Sequence, residues 1–255
     1  MDELEIDTIA DVDLTDPVLV EGLPGVGHVG TLAVEHILEE LEGESTLVRR
    51  IYSHEFPPQV NIEDGVSELT CAEMYAVSVP DGRDLLLLTG DHQAQTNEGH
   101  YVLTSAFLDI ASEFGATEAY ALGGVPTGEL IEEYAVVGAV SDESLLEAHE
   151  AAGVEFREDE PAGGIVGVSG LILGLGEREG FDAVCLMGET SGYLVDPKSA
   201  RAVLEVLEEL LGFELDYETV DERADEMEEV IGKIQEMEQQ QQMDVPTDDD
   251  LRYIG

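Results

Sequence analysis

Residues 17–30 read PVLVEGLPGVGHVG, an apolar run followed by a glycine-rich turn. The run from Pro17 to Glu21 has the length and composition of a short buried strand. After the turn, apolar residues recur at helical spacing as far as Leu41, and Gly43 then ends the predicted helix. The stretch therefore predicts a strand, a tight turn and a helix, which together are the repeating unit of α/β domains.

The rest of the chain continues this alternation. Further strands are predicted at 47–53, 74–79, 85–89, 118–122, 135–140 and 181–187, and further helices at 103–114, 141–152 and 197–211. Asp81-Gly82 predicts a hairpin turn, while the glycine-rich stretch 163–176 fits either a helix or a loop. We therefore expect an α/β protein, a three-layer α/β/α sandwich with a mixed, mostly parallel sheet.

A different pattern begins after residue 213. Apolar residues there step by three and four positions on an otherwise charged helix, as in a heptad repeat. This heptad-like seam consists of Tyr217, Val220, Ala224, Met227, Ile231 and Ile234. The seam either packs back on its own domain or pairs with a second subunit. We divide the chain into an α/β domain (1–213), an amphipathic, coiled-coil-like helix (214–243) and an acidic tail with an apolar tip (244–255).

The most extreme property of the chain is its charge. Its 255 residues include 59 acidic and 10 basic side chains, a net charge of −49. Residues 216–255 carry 14 acids and three bases, so the acidity covers the whole surface and not only the tail. Such a surface excludes ordinary nucleic-acid binding and docking on anionic membranes. It fits a cytoplasm at multimolar salt, where the Debye length is about 3 Å, and so predicts a halophilic archaeal origin.

Other composition signals are mostly negative. No apolar run is long enough to span a membrane, and the acidic N-terminus is unlike a signal peptide, so we expect a cytoplasmic protein. Cys71 and Cys185 fall in apolar, strand-like stretches and are interpreted as buried thiols. The six histidines show no metal-ligand spacing, and we predict neither a metal site nor a cofactor.

Two loops are candidates for a small ligand. Gly25, Gly27 and Gly30 match the spacing of a dinucleotide-binding turn, but no acidic residue ends the following strand, which favours a tight turn with close helix packing. The second candidate loop, which follows a predicted strand, contains Asp91, His92 and Gln93. The segment 167–171, GVSGL, approaches a nucleophile elbow but lacks its second glycine.

Five segments together carry a family likeness. They are GLPGVGHVG (22–30), TGDHQAQTNEGHY (89–101), LGGVPTG (122–128), GGIVGVSGLILGLG (163–176) and GETSGYLVDPKSARAVLEVL (188–207). In this order they resemble the PAC2 family of proteasome assembly chaperones, and the chain is most similar to its archaeal members. The resemblance implies a nucleoside-phosphorylase-like fold, a homo-oligomer, and non-catalytic binding of proteasome α-subunits during assembly of the 20S core.

The resemblance also draws attention to the end of the chain. Proteasome activators and some archaeal chaperones dock through a C-terminal motif of a hydrophobic residue, a tyrosine and any last residue. Here the tyrosine is third from the end and follows an arginine, so the register differs while the apolar character is kept. The predicted docking tip consists of Leu251, Arg252, Tyr253, Ile254 and Gly255.

Two other functions are compatible with the same residues. The first is a small-molecule or nucleotide-binding enzyme whose site lies around the turn 25–30 and the loops 90–93 and 123–127. Homologous groups have been labelled as possible ATP-grasp enzymes, but the chain has only two lysines, Lys198 and Lys233, neither in a glycine-rich loop. The second is a structural scaffold whose C-terminal helix sets the number of subunits.

Overall fold

The computed structural model describes residues 3–41, 45–79, 82–129, 131, 133–158 and 164–227. Its strands are β1 (Leu4–Thr8), β2 (Val18–Glu21), β3 (Ser45–Ser53), β4 (Val60–Glu63), β5 (Val66–Leu69), β6 (Ala72–Val77), β7 (Leu85–Gly90), β8 (Glu118–Pro126), β9 (Val136–Val140), β10 (Val154–Glu155) and β11 (Asp182–Thr190). Its helices are α1 (Val29–Glu40), α2 (Asn97–Glu113), α3 (Leu146–Ala151), α4 (Gly167–Glu179), α5 (Pro197–Leu211) and α6 (218–227).

Nine strands form one mixed sheet in the order β1-β3-β6-β7-β2-β8-β11-β9-β10. The four central strands, β7, β2, β8 and β11, run parallel, whereas β1, β3 and β6 extend one edge antiparallel. The prediction of a mixed sheet with helices in an α/β arrangement is confirmed. Parallel pairs are not the majority, however, because the hairpin β6–β7 and the N-terminal strands add antiparallel pairs.

The helices lie on both faces of this sheet. Alternate residues of the central strand β2 point to opposite faces, so Leu19 belongs to one apolar cluster and Val20 to the other. The first cluster packs against α2 and α4, and the second packs against α1 and α5. This arrangement gives the three layers that the alternation of strands and helices predicts.

Local sequence signals match the observed elements closely. The predicted hairpin is formed by β6 and β7, with Met74 opposite Leu88. Helix α5 begins where the Asp196 side chain accepts a hydrogen bond from the Ser199 amide, and it ends at Gly212 with a positive φ. The undecided stretch 163–176 contains the first turns of α4. Gly43, the predicted end of α1, lies outside the described residues.

Helix α6 packs on its own domain. Val220 and Ala224 are only 4% and 6% exposed, and the Arg223 guanidinium contacts the Glu39 carboxylate of α1 at 3.2 Å. Of the two alternatives for the seam, these two positions follow the first: Val220 and Ala224 pack back on their own domain and are not available as an oligomer contact. Ile231 and Ile234 lie outside the described residues, and their role in assembly stays a prediction.

Candidate functional site

The connections after β2 and β7 leave a crevice at one end of the sheet. These neighbouring strands are parallel, and the helices that follow them, α1 and α2, pack on opposite faces. The chain therefore diverges beyond their carboxyl ends, where α/β proteins bind ligands. Strand β2 stops at Glu21, opposite Ala121, whereas β8 continues to Pro126.

A cavity of about 800 Å³ lies in this crevice. The turn after β2, the loop after β7, the end of β8 and the start of α4 all contribute to its wall. Residues from these four segments include Leu23, Gln93, Gly123 and Ser169, and Met187 of β11 closes one side. The volume falls within the range of small-molecule pockets, which is roughly 300–1,000 Å³.

Each of the two predicted ligand loops contributes one of its predicted residues to this cavity. Gly25 and Gln93 line the cavity. The Gln93 side chain joins the surrounding segments, because its Nε2 donates to the Pro24 carbonyl at 2.9 Å and its Oε1 accepts from the Val168 amide at 3.2 Å. The nitrogen and the oxygen of this amide group are therefore both hydrogen-bonded to backbone atoms of the cavity walls.

The remaining predicted residues lie elsewhere. Asp91 is exposed and accepts a hydrogen bond from Asn61 Nδ2 at 2.8 Å, and neither it nor His92 is part of the cavity wall. A side chain at Gly30 would overlap the carbonyl of Leu122, and Gly27 has φ of 64° with Thr190 against it. Helix–strand packing at Gly30 and the backbone of the turn at Gly27 therefore each call for glycine.

The site has one further member, which no sequence motif indicated. Glu21, the last residue of β2, is fully buried, and its Oε1 accepts from the Leu23 amide at 2.9 Å. Its Oε2 accepts a 3.0 Å hydrogen bond from the hydroxyl of Ser169, which lines the cavity. Burial raises the pKa of Glu21 to about 7, although both hydrogen bonds oppose the increase.

Glu21 carries a recognisable but weak signal in the sequence. It is a carboxylate that ends an apolar run immediately before a glycine turn, whereas most acidic residues of this chain are at the surface. Ser169 attracts attention only through the incomplete nucleophile elbow. Their contact joins residues 148 positions apart, so it depends on the tertiary fold.

The two thiols differ in exposure. Cys185 lies in β11 and is fully buried, as predicted, and burial raises the pKa of its thiol. Cys71 is half-buried and directly precedes β6, so its interpretation as a buried strand residue is only partly correct. Burial, followed by the nearby Glu73 carboxylate, raises the pKa of Cys71 to about 11. Neither thiol is activated as a nucleophile.

The described residues show neither a metal-binding cluster nor a membrane-spanning helix. No group of three or more histidine, cysteine, aspartate or glutamate side chains is placed to hold a metal ion there. In the same part of the chain, no helix is both long and apolar enough to cross a membrane. The predicted docking tip, Leu251–Gly255, lies outside the described residues.

Comparisons with known proteins agree on one family. The PAC2 family model matches residues 19–235. An uncharacterized protein of Methanocaldococcus jannaschii is 41% identical over 95% of this chain and 93% of its own. The crystal structure of Pyrococcus furiosus PbaB, an archaeal proteasome activator, is 39% identical, covers 92% of this chain and 100% of its own, and superposes with a TM-score of 0.87.

A more distant structure shares the fold. Pyrococcus furiosus PbaA, an archaeal homolog of proteasome-assembly chaperone, is 22% identical over 98% of this chain and 99% of its own, with a TM-score of 0.74. The family model and the two relatives near 40% identity each extend over most of the described α/β domain. The chain therefore belongs to the PAC2 family.

Proposed function

We propose that this protein is a cytoplasmic homo-oligomer that binds α-subunits of the 20S proteasome and promotes assembly or activation of the particle without catalysis. The observation that carries the proposal is the close, full-length similarity to the archaeal proteasome activator PbaB. A similarity that covers 92% of this chain and 100% of the other supports a related binding role.

The charge of the chain restricts how such a complex forms. A partner from the same high-salt cytoplasm is expected to be acidic as well, so long-range attraction contributes little when the Debye length is about 3 Å. Affinity then comes from apolar anchors that fit a pocket on the partner. The apolar side chains at the end of the acidic tail, Leu251, Tyr253 and Ile254, are suitable anchors.

The experiment mixes the full chain with purified archaeal 20S α-subunits in multimolar salt and measures complex mass by size-exclusion chromatography with light scattering. We expect the full chain to co-elute with the α-subunits and a form lacking residues 244–255 to elute alone. The matched control replaces Asp248, Asp249 and Asp250 with asparagine, which keeps the apolar tip and is expected to preserve binding.

The other outcomes are equally informative. Binding by both the full and the shortened chain would assign the interface to the α/β domain and reject the role of the tail. Binding by neither, with both proteins folded, would contradict the proposed function.

A further inference from the structure

We propose that the cavity between the carboxyl ends of β2, β7 and β8 binds an uncharged, mainly apolar small molecule that donates a hydrogen bond to Ser169. The inference rests on the geometry of the cavity and is independent of the proposed proteasome role. The crevice would then bind an uncharged ligand, whereas a glycine-rich dinucleotide-binding turn would bind a nucleotide.

The cavity exists because the central strand is short. Beyond Ala121, the edge of β8 that faced β2 has no neighbouring strand within the described residues, since β2 ends at Glu21. The chain turns away through Leu23 and Gly25, and Gln93 holds that turn to the start of α4 by two hydrogen bonds. The walls are thus fixed to one another without filling the space between them.

The walls indicate an apolar ligand. The apolar residues that line the space include Leu23, Val125, Ile165, Leu171 and Met187. At the opening, Val26, Tyr101 and Val166 are 39%, 56% and 83% exposed. Large apolar side chains gathered at one opening mark a surface that a ligand covers.

The same walls argue against a phosphorylated ligand. No lysine or arginine is among the described residues that line the cavity. The whole chain has a net charge of −49, and Ser169 in the cavity wall is hydrogen-bonded to a buried carboxyl, Glu21. Apart from the His100 imidazole, the described lining offers a phosphate no side chain that can carry a positive charge, and the acidic chain would repel it, so an uncharged molecule is favoured.

Ser169 provides the polar anchor. Its hydroxyl hydrogen is directed to Glu21 Oε2 at 3.0 Å, and Glu21 itself is held by the Leu23 amide. The Ser169 oxygen therefore keeps lone pairs that can accept a hydrogen bond from the cavity side. A ligand with one N–H or O–H group on an apolar body matches this arrangement.

The first experiment titrates the neutral apolar dye Nile red into the full chain at multimolar salt and follows its fluorescence. Gly123→Leu adds a side chain where a Cβ has only Met187 nearby, at 3.9 Å, so it fills the cavity without backbone strain. We expect at least a tenfold loss of Nile red affinity. Gly25→Leu, also in the wall and unobstructed, is a second filling variant.

The matched control is Gly174→Leu on α4, an open surface position outside the cavity wall. We expect wild-type affinity from this control. Circular dichroism and thermal unfolding establish that each variant is folded. No dye binding by the wild type, or equal binding by both folded filling variants, would overturn the proposal.

The second experiment tests the hydrogen bond by displacing Nile red with indole or with 1-methylindole, which lacks the N–H donor. In the wild type we expect indole to compete at concentrations about two- to tenfold lower, the usual contribution of one hydrogen bond. Ser169→Ala should abolish that difference while keeping dye binding. Equal competition in the wild type would refute the role of Ser169, and stronger displacement by AMP than by adenosine would refute an uncharged ligand.

Discussion

The Ser169 hydroxyl donates a 3.0 Å hydrogen bond to Glu21, which is fully buried at the end of the central strand. Helix α4, which carries Ser169, lies on one face of the sheet, and α1, which follows Glu21, lies on the other. The contact therefore joins α4 to the last residue of the central strand, beside the cavity. A buried carboxyl in this position has consequences for stability and pH dependence.

The first prediction concerns Glu21→Gln. The folded-state pKa of Glu21 is raised to about 7 from the ordinary 4.5, so the native protein binds more protons than the unfolded chain between these values. The contribution of Glu21 to stability therefore falls as pH rises through this window, by about 3 kcal/mol in total. Glutamine, which stays neutral, should remove this fall.

The measurement is urea unfolding of the wild type and the variant from pH 4.5 to 7.5 at multimolar salt. The free energy of unfolding of the variant, measured relative to that of the wild type, should increase steadily as pH rises. Glu150→Gln, at an exposed position on α3, serves as the control and should follow the wild type. A constant difference across the pH range would mean that Glu21 titrates normally.

The second prediction concerns the glycine-rich turn. A methyl group at Gly30 would overlap the Leu122 carbonyl, whereas one at Gly25 would lie 3.9 Å from its nearest neighbour. Gly30→Ala should therefore reduce the free energy of unfolding by about 2–3 kcal/mol. Gly25→Ala should change it by less than about 0.5 kcal/mol. Chemical denaturation measures both, and equal effects would show that helix packing is not what requires glycine.

The third prediction separates self-packing from assembly in the C-terminal helix. Val220→Ala removes buried apolar volume within one chain and should cost about 2 kcal/mol at any protein concentration. Ile231→Ala should instead lower the oligomer mass, with a thermal midpoint that depends on concentration. Light scattering and thermal unfolding at several concentrations distinguish these effects. If the thermal midpoint depended on concentration for Val220→Ala and not for Ile231→Ala, Val220 would be the assembly contact and Ile231 would not.

The fourth prediction concerns salt. The net charge of −49 is spread over the surface, so repulsion between carboxylates grows when salt is removed. The Debye length increases from about 3 Å at 1 M to about 10 Å at 0.1 M. The thermal midpoint should fall steadily from 3 M to 0.1 M sodium chloride. A midpoint independent of salt would contradict the expected halophilic origin.

Local sequence patterns were sufficient for much of the architecture. The strand, turn and helix of residues 17–41, the hairpin β6–β7 and the caps of α5 depend on contacts between residues a few positions apart. Strand β1 was missed because its side chains are largely exposed, so it lacks the apolar run of a core strand. It is held by backbone pairing with β3, about 45 positions later in the chain, which no local pattern reveals.

The candidate site was predicted in part. Strand ends and glycine turns located the crevice, since the carboxyl ends of parallel strands meet at one edge of a sheet. The same reasoning selected Asp91 and His92, which lie outside the cavity wall, and passed over Glu21. Side-chain direction at a loop depends on the segments that pack against it, and those come from distant parts of the chain.

By itself, the sequence determined the α/β class, the extreme acidity and the order of most elements, because these follow from composition and from interactions within one or two turns of chain. Only the tertiary structure decided that Glu21 meets Ser169, that Gly30 serves packing, and that the first turns of α6 cover their own domain. Burial and pairing at these positions are set by which strands become neighbours. That choice depends on the free energy of the whole fold and not of any single segment.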